Sequence, residues 1–364
     1  WFQLGCFSPI NRLHSSNSGF TSKEPWRYSR DARATMEAHL RLRHRLVPYL
    51  YTWARRSVSE GIGPVRPVYH HHPQEMAAYE HRRTFCFGDL LVVPFTSPLD
   101  EATGLGQETT WLPDGVWYDL PTGRRYEATT GGHGRMLSLS RPLDRIGVLA
   151  RAGAVIPLAG SLTEAAGDNP RELEIVVVPG GAGGFTLEED DGSAEPGPDR
   201  IARTRMRFTW PQTEGKDGGN AVLRIRLEGA ADVVPASRLV TVRLLAGRVA
   251  GALLGVGGQA RRLAVKEVDG DGFTLGAGTL VHLGELSRQE LADGVELVLR
   301  EVEQAPADWR GEVHAILDAA RVEYMAKDLA WAAVRRGLSG TALLGEMESL
   351  GLPETLRSAV AEVL

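Results

Sequence analysis

Leu223-Arg224-Ile225-Arg226-Leu227-Glu228 alternates apolar and charged residues without a break. A period of two turns one face of a strand to a core and the other to water. Outward from this stretch further strand-like runs occur at 205–210, 184–188, 173–178 and 151–158 on one side, and at 240–245, 273–275 and 295–299 on the other. The run 90–95 is continuously apolar, as a strand buried on both faces would be. Trp111-Leu112 and Val116-Trp117-Tyr118 flank Pro113-Asp114-Gly115, and Asp-Gly between strand-like pairs predicts a hairpin. The glycine-rich 249–258 reads as a turn, and linkers are expected at 159–169 and 192–199. Short strands at this spacing predict β-sandwiches. Glycine, at 42 of 364 residues, supplies the turns they require.

Both ends of the chain read differently. An apolar run at 5–10 suits a short buried strand. From Asp31, a plausible N-cap, to Glu60 the pattern is helical, with Leu42, Leu46, Tyr49, Leu50 and Trp53 on one stripe. Pro48 should kink that helix, because it lacks a donor and crowds the preceding turn. A β-like run at 64–69 and a short helix at 74–82 follow. Beyond Pro306, Asp308 can cap a helix to about 326, and Gly337, Gly351 and Pro353 punctuate further helices. Residue 1 is Trp, inside an aromatic run with no leader-like segment, so the chain reads as a piece of a longer polypeptide.

Composition narrows the function classes. Lys and Arg number 41 against 46 Asp and Glu, which argues against a polyanion binder and hence against nucleic acid. The excess of ten basic over four acidic residues in 1–60 is read as a solvated helix face. No apolar stretch approaches the ~18 residues of a membrane span. Cys6 and Cys86 fit neither a disulfide framework nor a zinc spacing and read as buried thiols.

Three motifs invite chemistry. His70-His71-His72 cannot easily converge on one ion, because neighbours on a strand point to alternate faces; a strand end is the reading. Glu188-Glu189-Asp190-Asp191-Gly192 lacks the alternating spacing of a calcium loop and reads as a turn. Phe7-Ser8-Pro9-Ile10-Asn11-Arg12-Leu13-His14 places Arg12 and His14 two residues apart just past an apolar run. On a barrel such positions face the active site, and imidazole and guanidinium beside aromatic rings suit a sugar.

At this motif the sequence resembles glycoside hydrolase family 31, the α-glucosidase and α-xylosidase family. Trp1…Gln3-Leu4-Gly5…Phe7-Ser8-Pro9…Arg12…His14 is similar to the block near that family's seventh barrel strand. The likeness continues through Glu24-Pro25-Trp26, Leu42-Arg43…Leu46…Pro48-Tyr49-Leu50-Tyr51-Thr52, Arg66-Pro67 and Phe87-Gly88-Asp89-Leu90-Leu91-Val92-Val93-Pro94. It runs on through Leu112-Pro113…Gly115…Trp117-Tyr118-Asp119, Pro142-Leu143-Asp144, Arg151-Ala152-Gly153 and Glu189-Asp190-Asp191-Gly192, about as far as residue 210. Gly147, Leu149 and His81-Arg82-Arg83 depart from the pattern, and the helical tail lies outside it.

The resemblance implies the end of a (β/α)8 barrel at 1–83, a proximal β-sandwich at 84–160, a distal β-sandwich region at 161–305 and a helical tail at 306–364. It implies a retaining α-glycosidase acting on an α-linked oligosaccharide or glycoside, without metal or organic cofactor. The two catalytic carboxylates would come from earlier barrel strands, upstream of Trp1, so the chain alone should be inactive. His14 matches the family's histidine that contacts sugar hydroxyls, and Arg12 a neighbouring arginine. Two rivals stand beside this reading. One is a carbohydrate-binding module using Trp111, Trp117 and Tyr118 as a sugar platform; the other is an oligomerisation segment resting on the tail.

Overall fold

The structure is a computed structural model that describes residues 1–129, 131–211 and 219–364. Helix α1 (Phe2–Cys6) occupies part of the expected strand at 5–10. The Phe7 and Ser8 amides donate back to Leu4 and Gly5, so the chain turns, burying Cys6 and Phe7 and leaving Pro9 and Ile10 exposed. A strand there would also lose a ladder donor at Pro9. Helices α2 (Arg30–Arg45) and α3 (Val47–Ser59) part at Leu46. Pro48 sits in the first turn of α3, where its missing N–H costs nothing. The α2 N-cap is Ser29, whose hydroxyl accepts from Ala32 N, and Asp31 lies in the first turn, where its charge suits the helix dipole. A short strand at Val65–Pro67 precedes α4 (Met76–Glu80).

The first sheet is antiparallel, in the order Val65–Pro67, Phe85–Phe87, Leu90–Val93, Gly147–Arg151, Val116–Asp119, Arg125–Glu127. Its two faces enter different cores. Leu90, Val92, Val148 and Ala150 pack with Leu46, Tyr49 and Trp53 from the helices. Leu91, Val93 and Leu149 pack with Trp111, Leu112, Leu137 and Leu139. That double burial is why 90–93 carries no polar residue.

The joint at Pro113-Asp114-Gly115 is not a hairpin. Gly106–Leu112 pairs with Arg135–Arg141 in a separate ladder, whereas Val116–Asp119 joins the first sheet. Gly115, at φ 128°, lets the chain cross between the two layers.

A second sheet runs Val265–Val268, Gly278–Ser287, Ser237–Leu245, Glu172–Val177, Val155–Ala159, with one parallel pairing, between Glu172–Val177 and Ser237–Leu245. A third runs Gly183–Asp190, Ile201–Thr209, Ala221–Gly229, Val295–Arg300, Gly251–Val256, Gln259–Leu263. Ile175, Val242 and Leu244 of the second share one core with Met206, Leu223, Ile225, Leu227 and Leu297 of the third. Arg224 and Arg226 face solvent, as the alternation requires.

Two further expectations fail locally. Gly251–Val256, expected as a turn, is an interior strand with Ala252 and Leu254 buried, and the turn is confined to Gly257-Gly258 at φ 56° and 79°. Residues 273–275, expected as a strand, form a loop around the Asp271 carboxylate, which accepts from the amides of Phe273 (2.8 Å), Thr274 (2.6 Å) and Leu275 (3.0 Å). Short-range acceptors of this kind outcompete a ladder.

Helix α5 (Arg288–Asp293) carries a capping box between Ser287 and Glu290. The tail folds as α6 (Trp309–Ala319), α7 (Tyr324–Arg335), α8 (Gly340–Ser349) and α9 (Glu354–Val363). Asp308 caps α6, which ends at Ala319 rather than continuing to 326. Val313, Leu317, Val334, Leu343, Met347, Leu356 and Val360 form a core of the tail's own. Among the described residues no helix is long and apolar enough to cross a membrane.

Candidate substrate-binding site

The Arg12–His14 segment is held at its base and open at its end. Phe7 anchors it, meeting Phe87 edge to face at 5.8 Å in the main core. Cys6 Sγ donates to the His39 carbonyl at 3.2 Å. Burial pushes that thiol up to about 12, with Arg43 pulling the other way, so it is a neutral donor and no nucleophile. His39 itself is buried with Nδ1 2.8 Å from Thr35 O, and desolvation holds its pKa below the ordinary value. Arg43, on the same helix, donates to the carbonyls of Cys6 (3.1 Å), Ser8 and Pro9 (2.8 Å). Asn11 folds over Gly5, where a Cβ would lie 3.0 Å from its Oδ1.

Beyond that base, Arg12 and His14 are exposed, in irregular backbone. Neither makes a hydrogen bond or ion pair with another described residue, and they are free to meet a ligand. Around them Ile10, Phe20 and Trp26 also face outward. Sequence reasoning singled out Arg12 and His14 and read Cys6 as a buried thiol, but gave Arg43 and Asn11 no role. An arginine between Leu42 and Leu46 on a buried helix stripe was the available signal for Arg43.

The other motifs are accounted for by structure. His70 closes a short 3-10 turn (Val68–His70) rather than a strand end. His71 and His72 line a cleft of about 370 Å³ with Asp89, Trp117 and Arg151. Burial, with Arg66 beside His71 and Arg151 beside His72, lowers both imidazole pKa values and favours the neutral rings. No group of three or more metal-ligating side chains occurs among the described residues. Each carboxylate of 188–191 has a partner: Glu188 pairs with Arg203 (2.9 Å) and Glu189 with the buried Arg238 (2.8 Å). Glu188, Glu189 and Asp190 nevertheless lie in the strand Gly183–Asp190, opposite Arg203, Ala202 and Ile201, so the expected turn begins only after Asp190, where Asp190 and Asp191 accept from the amides of Gly192 (3.0 Å) and Ser193 (3.1 Å). Cys6 and Cys86 are free and buried.

The Phe87-Gly88-Asp89 turn shows why its residues are what they are. Gly88 has φ 60°, and a Cβ there would overlap Trp53 Nε1 and the Tyr49 hydroxyl. That hydroxyl donates to Phe87 O (3.2 Å) and accepts from Asp89 N (2.6 Å), while Arg66 donates to Gly88 O (2.7 Å). Desolvation raises the Asp89 carboxyl pKa, against the pull of Arg56 and Arg66. Trp111, Trp117 and Tyr118 are buried, which removes the three aromatics on which a carbohydrate-binding platform would rest.

Among the described residues the amino-terminal segment is helical and closes no barrel, and it is joined to β sheets and a helical tail. The barrel end is implied by comparison with known proteins. Residues 1–53 match the glycosyl hydrolases family 31 TIM-barrel domain, and residues 61–156 the glycosyl hydrolase family 31 C-terminal domain. An alpha-xylosidase of Saccharolobus solfataricus is 33% identical over 53% of this chain, and the lysosomal alpha-glucosidase of Mus musculus 29% identical over 63%. Each match takes in 25% of the relative's own length. Among solved structures, a family 31 alpha-xylosidase from Xanthomonas citri superposes with TM-score 0.53 at 27% identity, covering 67% of this chain and 25% of that one. A family 31 dextranase from Flavobacterium johnsoniae, complexed with isomaltotriose, shares the fold at TM-score 0.65 and 18% identity, over 82% of this chain and 36% of that one. Over residues 1–53 and 61–156, then, the chain is similar to the barrel and C-terminal domains of glycoside hydrolase family 31.

Proposed function

We propose that this chain is the C-terminal part of a retaining α-glycosidase that hydrolyses an α-linked oligosaccharide or glycoside. Its nucleophile and general acid lie on earlier barrel strands of a longer protein, and His14 and Arg12 form one wall of the sugar pocket. The observation that carries this reading is the family 31 barrel match over 1–53, which contains an exposed Arg12–His14 segment held by buried anchors. The relatives named above, an alpha-xylosidase and an alpha-glucosidase, support an α-glycoside as substrate. We divide the chain into a barrel end at 1–83, a proximal β-sandwich at 84–160, a distal β-sandwich region at 161–305 and a helical tail at 306–364. Strands Val65–Pro67 and Val155–Ala159 reach across these divisions, the first pairing into the first sheet and the second into the second.

In a retaining mechanism one carboxylate attacks the anomeric carbon and the other protonates the leaving oxygen. His14 and Arg12 contribute binding alone: a charged guanidinium donates to hydroxyls, and an imidazole donates from one nitrogen and accepts at the other. Removing one partner of a buried hydroxyl costs about 1–3 kcal/mol. His14→Ala in the longer protein should therefore lower kcat/KM roughly five- to 150-fold, with Tm nearly unchanged because His14 buries no core surface. A lower Tm with normal kcat/KM would instead make His14 a folding residue and remove it from the pocket.

A further inference from the structure

We propose that Arg43 is a positioning residue that sets where Arg12 and His14 stand, an inference that rests on the sugar-pocket reading of those two side chains. The Arg43 guanidinium is half-buried and has no carboxylate partner among the described residues. Its donors go to three carbonyls of one short stretch: Nη1 to Cys6 and Ser8, Nη2 to Pro9. These contacts span 34 to 37 positions in sequence, so they tie the stretch to α2 rather than to itself.

The Pro9 carbonyl is the last hydrogen-bonded tether before the pocket residues. From Ile10 to His14 no hydrogen bond joins the chain to the other described residues, and packing of Asn11 over Gly5 is the remaining guide. A segment fixed only at its base takes its direction from that base. Charge-assisted hydrogen bonds from a planar fork fix an angle as well as a distance. Lysine, a point charge on a flexible stem, cannot reach three carbonyls in that geometry.

The test is a double-mutant cycle in the longer protein whose reading frame contains this chain, assayed on an aryl α-glycoside. Arg43→Lys should lower kcat/KM tenfold or more, mainly through KM, with Tm little changed. In an Arg12→Ala/His14→Ala background the same substitution should cost less than threefold, because both groups it positioned are gone. Full multiplicativity of the two losses overturns the proposal, as does unchanged kcat/KM in Arg43→Lys. Arg43→Gln, which keeps one planar donor group without charge, is the second variant. If neither variant folds, Arg43 is a folding residue and the proposal fails. A His14→Ala protein with normal kcat/KM would instead refute the pocket reading itself, a result recognisable before Arg43 is touched.

Discussion

The two ends of the molecule treat their apolar and charged residues in opposite ways. At the amino-terminal end, Phe20 is 100% and Trp26 65% exposed, and Arg12 and His14 have no partner among the described residues. At the carboxyl-terminal end, four short helices close a core of their own and dock through an enclosed charge cluster. The Glu362 carboxylate, 1% exposed, accepts from Arg141 (2.6 Å), Arg124 (2.5 Å), Tyr126 (2.6 Å) and Ser140 N (2.6 Å). Arg141 also pairs with the buried Asp119 at 3.0 Å. Further contacts secure the dock: Gln107 donates to Thr355 O (2.6 Å) and Arg321 N to Ala102 O (2.6 Å). Among the described residues, the amino-terminal segment leaves these side chains open to solvent, whereas the tail encloses its ion-pair cluster against the β domains.

Breaking the enclosed end should cost most. Glu362→Ala leaves Arg141 only Asp119 and Arg124 only Glu312 as counter-charges and strips the enclosed cluster of its shared carboxylate, a loss of about 3–5 kcal/mol, read as a lower urea midpoint of the chain. A loss under 1 kcal/mol would mean that the cluster relaxes into solvent and the tail is only loosely attached.

Leu343→Ala, deep in the tail core, should cost about 2–5 kcal/mol in the same assay. Acid should act through Glu362 too. Burial alone would raise its pKa, but Arg141, Arg124 and Tyr126 outweigh burial and hold it below the ordinary carboxyl value. Its contribution is therefore complete above the unfolded value, about pH 4.3, and is lost as pH falls through the lower folded value. Glu362→Gln should remove that part of the acid dependence, and an unchanged profile would assign it to other carboxyls.

At the open end, Phe20→Ser should change stability by no more than about 0.5 kcal/mol. A larger loss would show that Phe20 packs within this chain and would weaken the contrast.

The sequence carried the period-two strands clearly, because alternation reports burial directly: Leu223, Ile225 and Leu227 point inward and Arg224 and Arg226 outward. It carried the Arg12–His14 motif as a pattern. Pairing was less legible. Nothing in Asp114-Gly115 says that the flanking strands enter different sheets, and a glycine-rich strand such as Gly251–Val256 looks like a turn until its neighbours are known. Glu362 was invisible for the same reason, since its Arg141 partner lies 221 residues away. Local patterns describe faces; they do not name what a face will meet.

The central claim is that the chain supplies a pocket wall and C-terminal β domains to a retaining α-glycosidase, without the reacting carboxylates. It is tested most directly by comparing purified residues 1–364 with the longer protein on an aryl α-glucoside and an aryl α-xyloside, following the anomer released. The longer protein should turn over at least one of them with retention of configuration, and residues 1–364 alone should show no turnover above buffer. Robust hydrolysis by residues 1–364 alone, or inversion by the longer protein, would contradict the account.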